Sequence, residues 1–128
     1  MNVKNKNEVY RCSICGNITE VIHVGMGELV CCGKPMDLLI ENSQEASTEK
    51  HIPIITKTET GIRVSVGEIF HPMEESHYIQ WLEVISNNKS YKKFLTPKDS
   101  PQADFCLDYA GDLVVRAYCN LHGLWKNA

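Results

Sequence analysis

The sequence has no apolar run approaching the roughly 18 residues that a membrane helix needs. Its start, Met1-Asn2-Val3-Lys4-Asn5-Lys6-Asn7, lacks the hydrophobic stretch of a secretory signal. These two absences lead us to expect a cytoplasmic protein with no membrane partner. Basic residues are in deficit: 13 Lys and Arg stand against 16 Asp and Glu, a formal charge of -3 with pI near 5.9. Sequence-independent nucleic-acid binding rests on surplus positive charge, so no nucleic-acid partner is expected either. Internal repeats, low-complexity tracts and long helical apolar patterns are also missing. What is present is a globular balance of 43% hydrophobic and 23% charged residues over 128 positions. That is enough for one ordinary domain, or for a small core carrying a metal-stapled appendage.

Six cysteines in so short a chain allow a disulfide framework, but a reducing cytoplasm makes metal ligation the better default. Four of them fall early, as Cys12-x2-Cys15 followed by the adjacent pair Cys31-Cys32. A Cys-x2-Cys turn sets two sulfurs on one side of a metal while the intervening amides curl toward them, and a second pair completes a tetrahedron. Neighbouring side chains normally point apart, so Cys31-Cys32 must bend the backbone at Gly33 to converge, and a distorted tetrahedron is expected. Four thiolates suit zinc or iron, and a purely structural zinc knob fits these positions as well as an electron site does. Between the pairs, His23 reads as an ordinary strand residue, and Met26 and Met36 as local packing.

The segment from Tyr10 to about Leu39 is too small to bury a core of its own and needs a staple. The polar stretch from Glu41 to Lys50 has no apolar period and reads as a linker. From His51 onward, apolar and polar residues alternate in short runs: Ile62, Val64 and Val66, then Ile79 and Trp81, then Leu113, Val115 and Ala117. Breaks at Gly61, Gly67, Pro72, Asn87-Asn88, Pro97, Pro101 and Gly111 make these antiparallel strands joined by turns. The expected protein is mainly β, with a metal-binding domain at 1–40, a linker at 41–50 and a β-sandwich of immunoglobulin-like architecture at 51–128.

The second unit carries a further constellation: His51, His71, His77, Cys119 and His122. A lone histidine is usually a surface or hydrogen-bonded residue, and a lone cysteine in an apolar run is usually packing. Loops at one end of a sandwich can gather these residues, and four imidazoles with one thiolate exceed the four ligands of a closed zinc site. The set suits iron in a square pyramid, with the sulfur on the axis and the sixth position open. A thiolate pushes electron density through the metal toward whatever binds opposite. Ferrous iron in this set carries a formal +1, which attracts a small anion. Cys106 has no role in such a scheme and is expected to be a buried free thiol.

The residues that carry this reading also resemble the desulfoferrodoxin family, the two-iron superoxide reductases. The matching stretches are Tyr10-Arg11-Cys12-Ser13-Ile14-Cys15-Gly16, Leu29-Val30-Cys31-Cys32-Gly33-Lys34-Pro35-Met36, Glu49-Lys50-His51-Ile52-Pro53, the run from His71-Pro72-Met73 to His77 with Ile79-Gln80-Trp81, and Cys119-Asn120-Leu121-His122-Gly123-Leu124-Trp125. The resemblance implies a desulforedoxin-like first domain with iron in Cys12, Cys15, Cys31 and Cys32. It implies an immunoglobulin-like second domain with a second mononuclear non-heme iron in His51, His71, His77, His122 and Cys119. The implied activity is one-electron reduction of superoxide to hydrogen peroxide, serving detoxification under oxidative stress. The implied assembly is a homodimer, with electrons from rubredoxin or a similar donor. A solvated pair at a linker end is the plain reading of Glu49 and Lys50. Their adjacency to His51 and the resemblance give them roles instead: Lys50 drawing in superoxide, Glu49 as sixth ligand of the resting ferric form. The competing expectation is a non-catalytic iron electron carrier.

Overall fold

The computed structural model describes residues 2–44, 51–67, 70–108 and 112–127. The chain divides into two compact units, Met1–Ile40 and Glu41–Ala128. Among the described residues there is no helix, and therefore none long and apolar enough to cross a membrane.

In the first unit, strands β1 (Val9–Arg11), β2 (Ile18–Glu20) and β5 (Asp37–Leu38) form an antiparallel sheet in the order β2-β1-β5. Strands β3 (Val30–Cys31) and β4 (Lys34–Pro35) form a separate hairpin. The buried cluster is Tyr10, Cys12, Val21 and Met36, flanked by the partly buried Val3, Leu29, Cys31 and Leu38. So few apolar groups cannot offset the ordering of this much backbone, which explains why a metal-ligand side chain belongs to the core itself. Met36 packs there as expected, but Met26 is fully exposed and His23 lies exposed in a bend rather than in a strand. Both lie in a stretch of bends and irregular backbone, Ile22 to Gly27, outside any strand.

The second unit holds β6 (Pro53–Lys57), β7 (Gly61–Val66), β8 (Ile79–Ser86), β9 (Lys89–Phe94), β10 (Gln102–Cys106), β11 (Val114–Cys119) and β12 (Gly123–Lys126). They form two antiparallel sheets, β10-β7-β6 and β12-β11-β8-β9. The core draws Ile62, Val64, Val66 and Phe105 from the first sheet and Ile79, Leu82, Val84, Val115, Ala117 and Cys119 from the second. Period-two alternation thus turns one face of each sheet inward, which makes the unit a β-sandwich. The β8–β9 turn takes Asn87 and Asn88 at φ 48° and 63°, the pair of positive values that a tight two-residue hairpin requires.

Two features depart from simple alternation. The β8–β11 ladder slips between Tyr118↔Trp81 and Cys119↔Ile79, so Gln80 is an extra residue on β8. The slip puts Ile79 in the core while Trp81 turns to the opposite face and stacks on Tyr118, ring centroids 4.5 Å apart. Cys106 ends β10 on an exposed position, so the expectation of a buried thiol is wrong. Phe105 takes the inward position of that strand, and its neighbour must face out.

Glu41 and Asn42, at the head of the stretch read as linker, are fastened to the second unit. Asn42 accepts from Lys126 N and donates to Leu124 O through its backbone, and Arg116 donates to Glu41 Oε2 at 3.2 Å. The same Arg116 donates through Nε to Glu83 Oε1 at 2.9 Å, and both residues are buried on the face of β8 and β11 away from the core.

Candidate metal centres

Every one of the nine sequence-predicted donors lies in one of two clusters, Cys12, Cys15, Cys31 and Cys32 in the first unit and His51, His71, His77, Cys119 and His122 in the second. Within each cluster the ligand atoms all lie within 4.8 Å of one another.

In the first cluster the Cys12–Cys15 turn follows β1. The amides of Ile14 and Cys15 donate to Cys12 Sγ at 3.4 and 3.5 Å, and Asn17 N donates to Cys15 Sγ at 3.5 Å. Gly16, at φ 83°, makes the left-handed turn that brings the chain round. The second pair comes from the β3–β4 hairpin, whose two turn residues are Cys32 at φ 53° and Gly33 at φ 72°. The bend therefore starts at Cys32 itself, one residue before the expected Gly33. A side chain in that region costs about 1–2 kcal/mol.

The geometry fits a metal. Thiolates about 2.3 Å from a tetrahedral metal sit about 3.8 Å apart along each edge. Cys15 Sγ and Cys31 Sγ are 3.6 Å apart, and Cys31 Sγ and Cys32 Sγ 3.9 Å, both close to that edge. All six cysteines are free. The backbone donors from Cys15 and Ile14 hold the Cys12 thiol down at about 6. Sharing protons with Cys15, Cys31 and Cys12 pushes Cys32 up to about 12 and also raises Cys31. Cys12 thus carries charge, while Cys31 and Cys32 hold protons that a metal displaces. Cys15 and Cys32 are exposed.

The second cluster sits at one end of the sandwich. His51 leads into β6, His71 and His77 lie in the β7–β8 connection, Cys119 ends β11, and His122 lies in the β11–β12 turn. The imidazoles close a cycle: ring centroids are 4.7 Å apart for His51–His71, 4.7 Å for His71–His77, 5.0 Å for His77–His122 and 4.8 Å for His122–His51. Each neighbouring pair meets edge to face, at 63° to 81°. Imidazole nitrogens about 2.1 Å from a metal, on adjacent corners of a square, would lie about 3.0 Å apart. His51 Nε2 and His122 Nδ1 are 3.0 Å apart. Cys119 Sγ, fully buried, adds the fifth donor 3.8 Å from His122 Nδ1.

Surrounding groups fix the ring nitrogens. Pro72 O, which can only accept, lies 2.8 Å from His71 Nδ1, so that nitrogen holds the hydrogen and Nε2 is left for a metal. Trp125 holds two donors: its ring stacks on His51 at 4.6 Å and 15°, and its indole N–H donates to His122 O at 3.1 Å. Four imidazoles and one thiolate make five donors, one more than a closed zinc site takes, and the set fits iron. Glu49 and Lys50, the sequence-predicted catalytic pair, lie outside the described residues. Sequence reasoning gave no role to Asn120, whose amide lies between two donor-bearing turns; its signal is an Asn in a turn, a side chain suited to bonding nearby backbone.

Two family profiles match the chain: "Desulfoferrodoxin" over residues 43–128 and "Desulfoferrodoxin, N-terminal domain" over residues 4–39. A desulfoferrodoxin from Syntrophotalea carbinolica is 60% identical over 122 residues, covering 95% of this chain and 96% of its own. Among solved structures, the superoxide reductase from Treponema pallidum shares the fold, with a TM-score of 0.73 at 23% identity, covering 94% of this chain and 96% of that one. The superoxide reductase of the one-iron type from Giardia intestinalis matches with a TM-score of 0.56 at 27% identity, covering 62% of this chain and 96% of that one. With both of its units matched by the family's profiles and all nine donors gathered into two clusters, the chain belongs to the desulfoferrodoxin family.

Proposed function

We propose that the chain is a superoxide reductase holding two mononuclear irons. The observation that carries the reading is the closed cycle of four imidazoles with Cys119 as fifth donor. A set of five is one too many for a closed zinc site and one too few for a saturated octahedron. Ferrous iron held there by His51, His71, His77, His122 and Cys119 would supply one electron and a coordination position left free by the five donors. The net reaction adds that electron and two solvent protons to superoxide, giving hydrogen peroxide and leaving ferric iron.

The chain's residues set the conditions. With ferrous iron bound, neutral imidazoles and a single thiolate would leave a local formal charge of about +1, which favours a small anion in a protein of net charge -3. Cys119, buried at the end of β11, would donate electron density to the iron, and the exposed His122 gives solvent access. Lys50 would draw superoxide toward the site, and Glu49 would ligate the iron in its resting oxidised form. The first site, with Cys15 and Cys32 exposed, passes electrons from a small external donor such as rubredoxin. The proposed setting is a cytoplasmic homodimer.

The test is to mix the ferrous protein with superoxide and measure products and rate. The expected result is peroxide without dioxygen, a spectral shift of the ferric form with azide or cyanide, and a slower reaction with a flatter salt dependence in Lys50→Ala. Dioxygen released alongside peroxide would identify a dismutase instead. No spectral shift would make the chain a carrier, and an unchanged rate and salt slope in Lys50→Ala would remove Lys50 from the scheme.

A further inference from the structure

The β8–β11 ladder ends at Cys119↔Ile79, yet pairing continues one step further in altered form. Asn120 N donates to Tyr78 O at 3.2 Å. In a regular antiparallel pair the opposite N–H would return the bond to the same residue's carbonyl. Tyr78 N donates instead to the side-chain Oδ1 of Asn120, at 2.9 Å, and Asn120 Nδ2 donates to Ser76 O at 3.1 Å. The side chain takes over a ladder bond from its own backbone. That releases the Asn120 carbonyl and lets the chain leave β11 for the turn that carries His122.

One amide thereby grips both chain neighbours of His77. The turn it grips is closed on itself, since Glu74 N donates to His77 O at 2.9 Å and His77 N to Glu74 O at 3.0 Å. Moving Ser76 and Tyr78 therefore moves His77 with them. Asn120 itself follows Cys119 directly and stands two residues before His122. Both arms are occupied by backbone groups of fixed character, a donor N–H and an acceptor C=O, so the amide's orientation is determined. An aspartate would keep the acceptor arm and set a second oxygen against Ser76 O. An alanine would lose both arms.

We propose that Asn120 is a positioning residue that fixes His77 against Cys119 and His122, so that three of the five donors converge before the metal arrives. The inference rests on reading this cluster as the iron centre. Donors outside a metal's direct shell typically change its affinity by about 10–100-fold when removed.

The test uses the full chain with both iron sites filled, challenged with an iron chelator. Iron release from the His and Cys site is followed separately from the four-Cys iron through their different thiolate absorption bands. Asn120→Ala is expected to lose the second iron about 10–100-fold faster, with a shifted band for what remains and the four-Cys iron retained. Asn120→Asp is expected to fall between it and the wild type. A role confined to holding the turn would lower the melting temperature of metal-free and metal-loaded chains equally and leave the band in place; that result overturns the proposal. Retention of iron within about twofold of wild type overturns it as well. Should Asn120→Ala not fold, Asn120→Asp decides by the same two criteria. Failure of the wild-type iron protein to reduce superoxide would remove the functional reading, whereas the iron-release comparison stands or falls independently of activity.

Discussion

Cys32 carries two burdens, a left-handed backbone at φ 53° and a thiol pushed up to about 12 by the sulfurs around it. Cys12 is its opposite: backbone amides hold it at about 6, against 9.0 for an ordinary cysteine. A pKa depressed by folding stabilises the folded form fully above about pH 9, and that contribution is lost as pH falls through about 6. Metal affinity at this site should fall as the solution is acidified below neutrality, and more steeply below about pH 6, where Cys12 too must release a proton. The thiolate absorption band of the metal-loaded first site, followed against a chelator as the pH is lowered, reads this dependence, and a loss that does not steepen near pH 6 would put the charge on another sulfur. At this scale the donors are legible in the sequence because ligands recur at spacings set by turns, as Cys12-x2-Cys15 does. Asn120 and the double hold of Trp125 are not legible, because each acts through residues brought near only by folding: Ser76 lies 44 positions from Asn120.

Among the elements, β7 shows how closely alternation and packing can agree. Ile62, Val64 and Val66 are all fully buried, as their spacing predicts, and Gly61 opens the strand where β10 passes closest. A Cβ at Gly61 would stand 2.0 Å from Phe105 O and 2.7 Å from Leu107 N, both backbone atoms that cannot swing aside. Gly61→Ala is therefore expected to cost about 1–3 kcal/mol or more in urea unfolding of the second unit. A loss under about 0.5 kcal/mol, the size of a neutral surface change, would show that β10 yields instead. In β8 the pattern misleads: Ile79 and Trp81 alternate on paper, but the extra residue at Gln80 sends them to opposite faces. A bulge leaves no mark on hydrophobic periodicity, yet this one lies where Cys119 must face the core and its chain must then turn toward His122. Glu83 and Arg116 escape the sequence for a similar reason, since only the register Arg116↔Glu83 reveals that two charged residues on neighbouring strands bury each other.

At the scale of the whole molecule, the two units depend on metal to very different degrees. The second buries a contiguous cluster drawn from both sheets, with Ile62, Val64, Leu82, Val84 and Val115 fully enclosed. Among the described residues the first encloses Val9, Tyr10, Cys12, Val21 and Met36, one of them a donor, and holds a strained Cys32 whose cost a bound metal offsets. Structural metal sites of this size supply about 10–16 kcal/mol of folding free energy, more than such a cluster can. Removing both irons from the intact chain is therefore expected to unfold residues 9–38 while the sandwich persists. Amide exchange read by mass spectrometry would show this as lost protection in β1, β2 and β5, with β7, β8 and β11 still slow. Cys31→Ser should move the first unit toward the same state with iron still in the second site, whereas Cys119→Ser should leave the first unit protected. Retained protection of β1 and β5 without metal would mean that the apolar cluster suffices. Simultaneous loss of protection throughout would mean that the units fold as one cooperative body, and that the iron centres share a stability their separate cores do not predict.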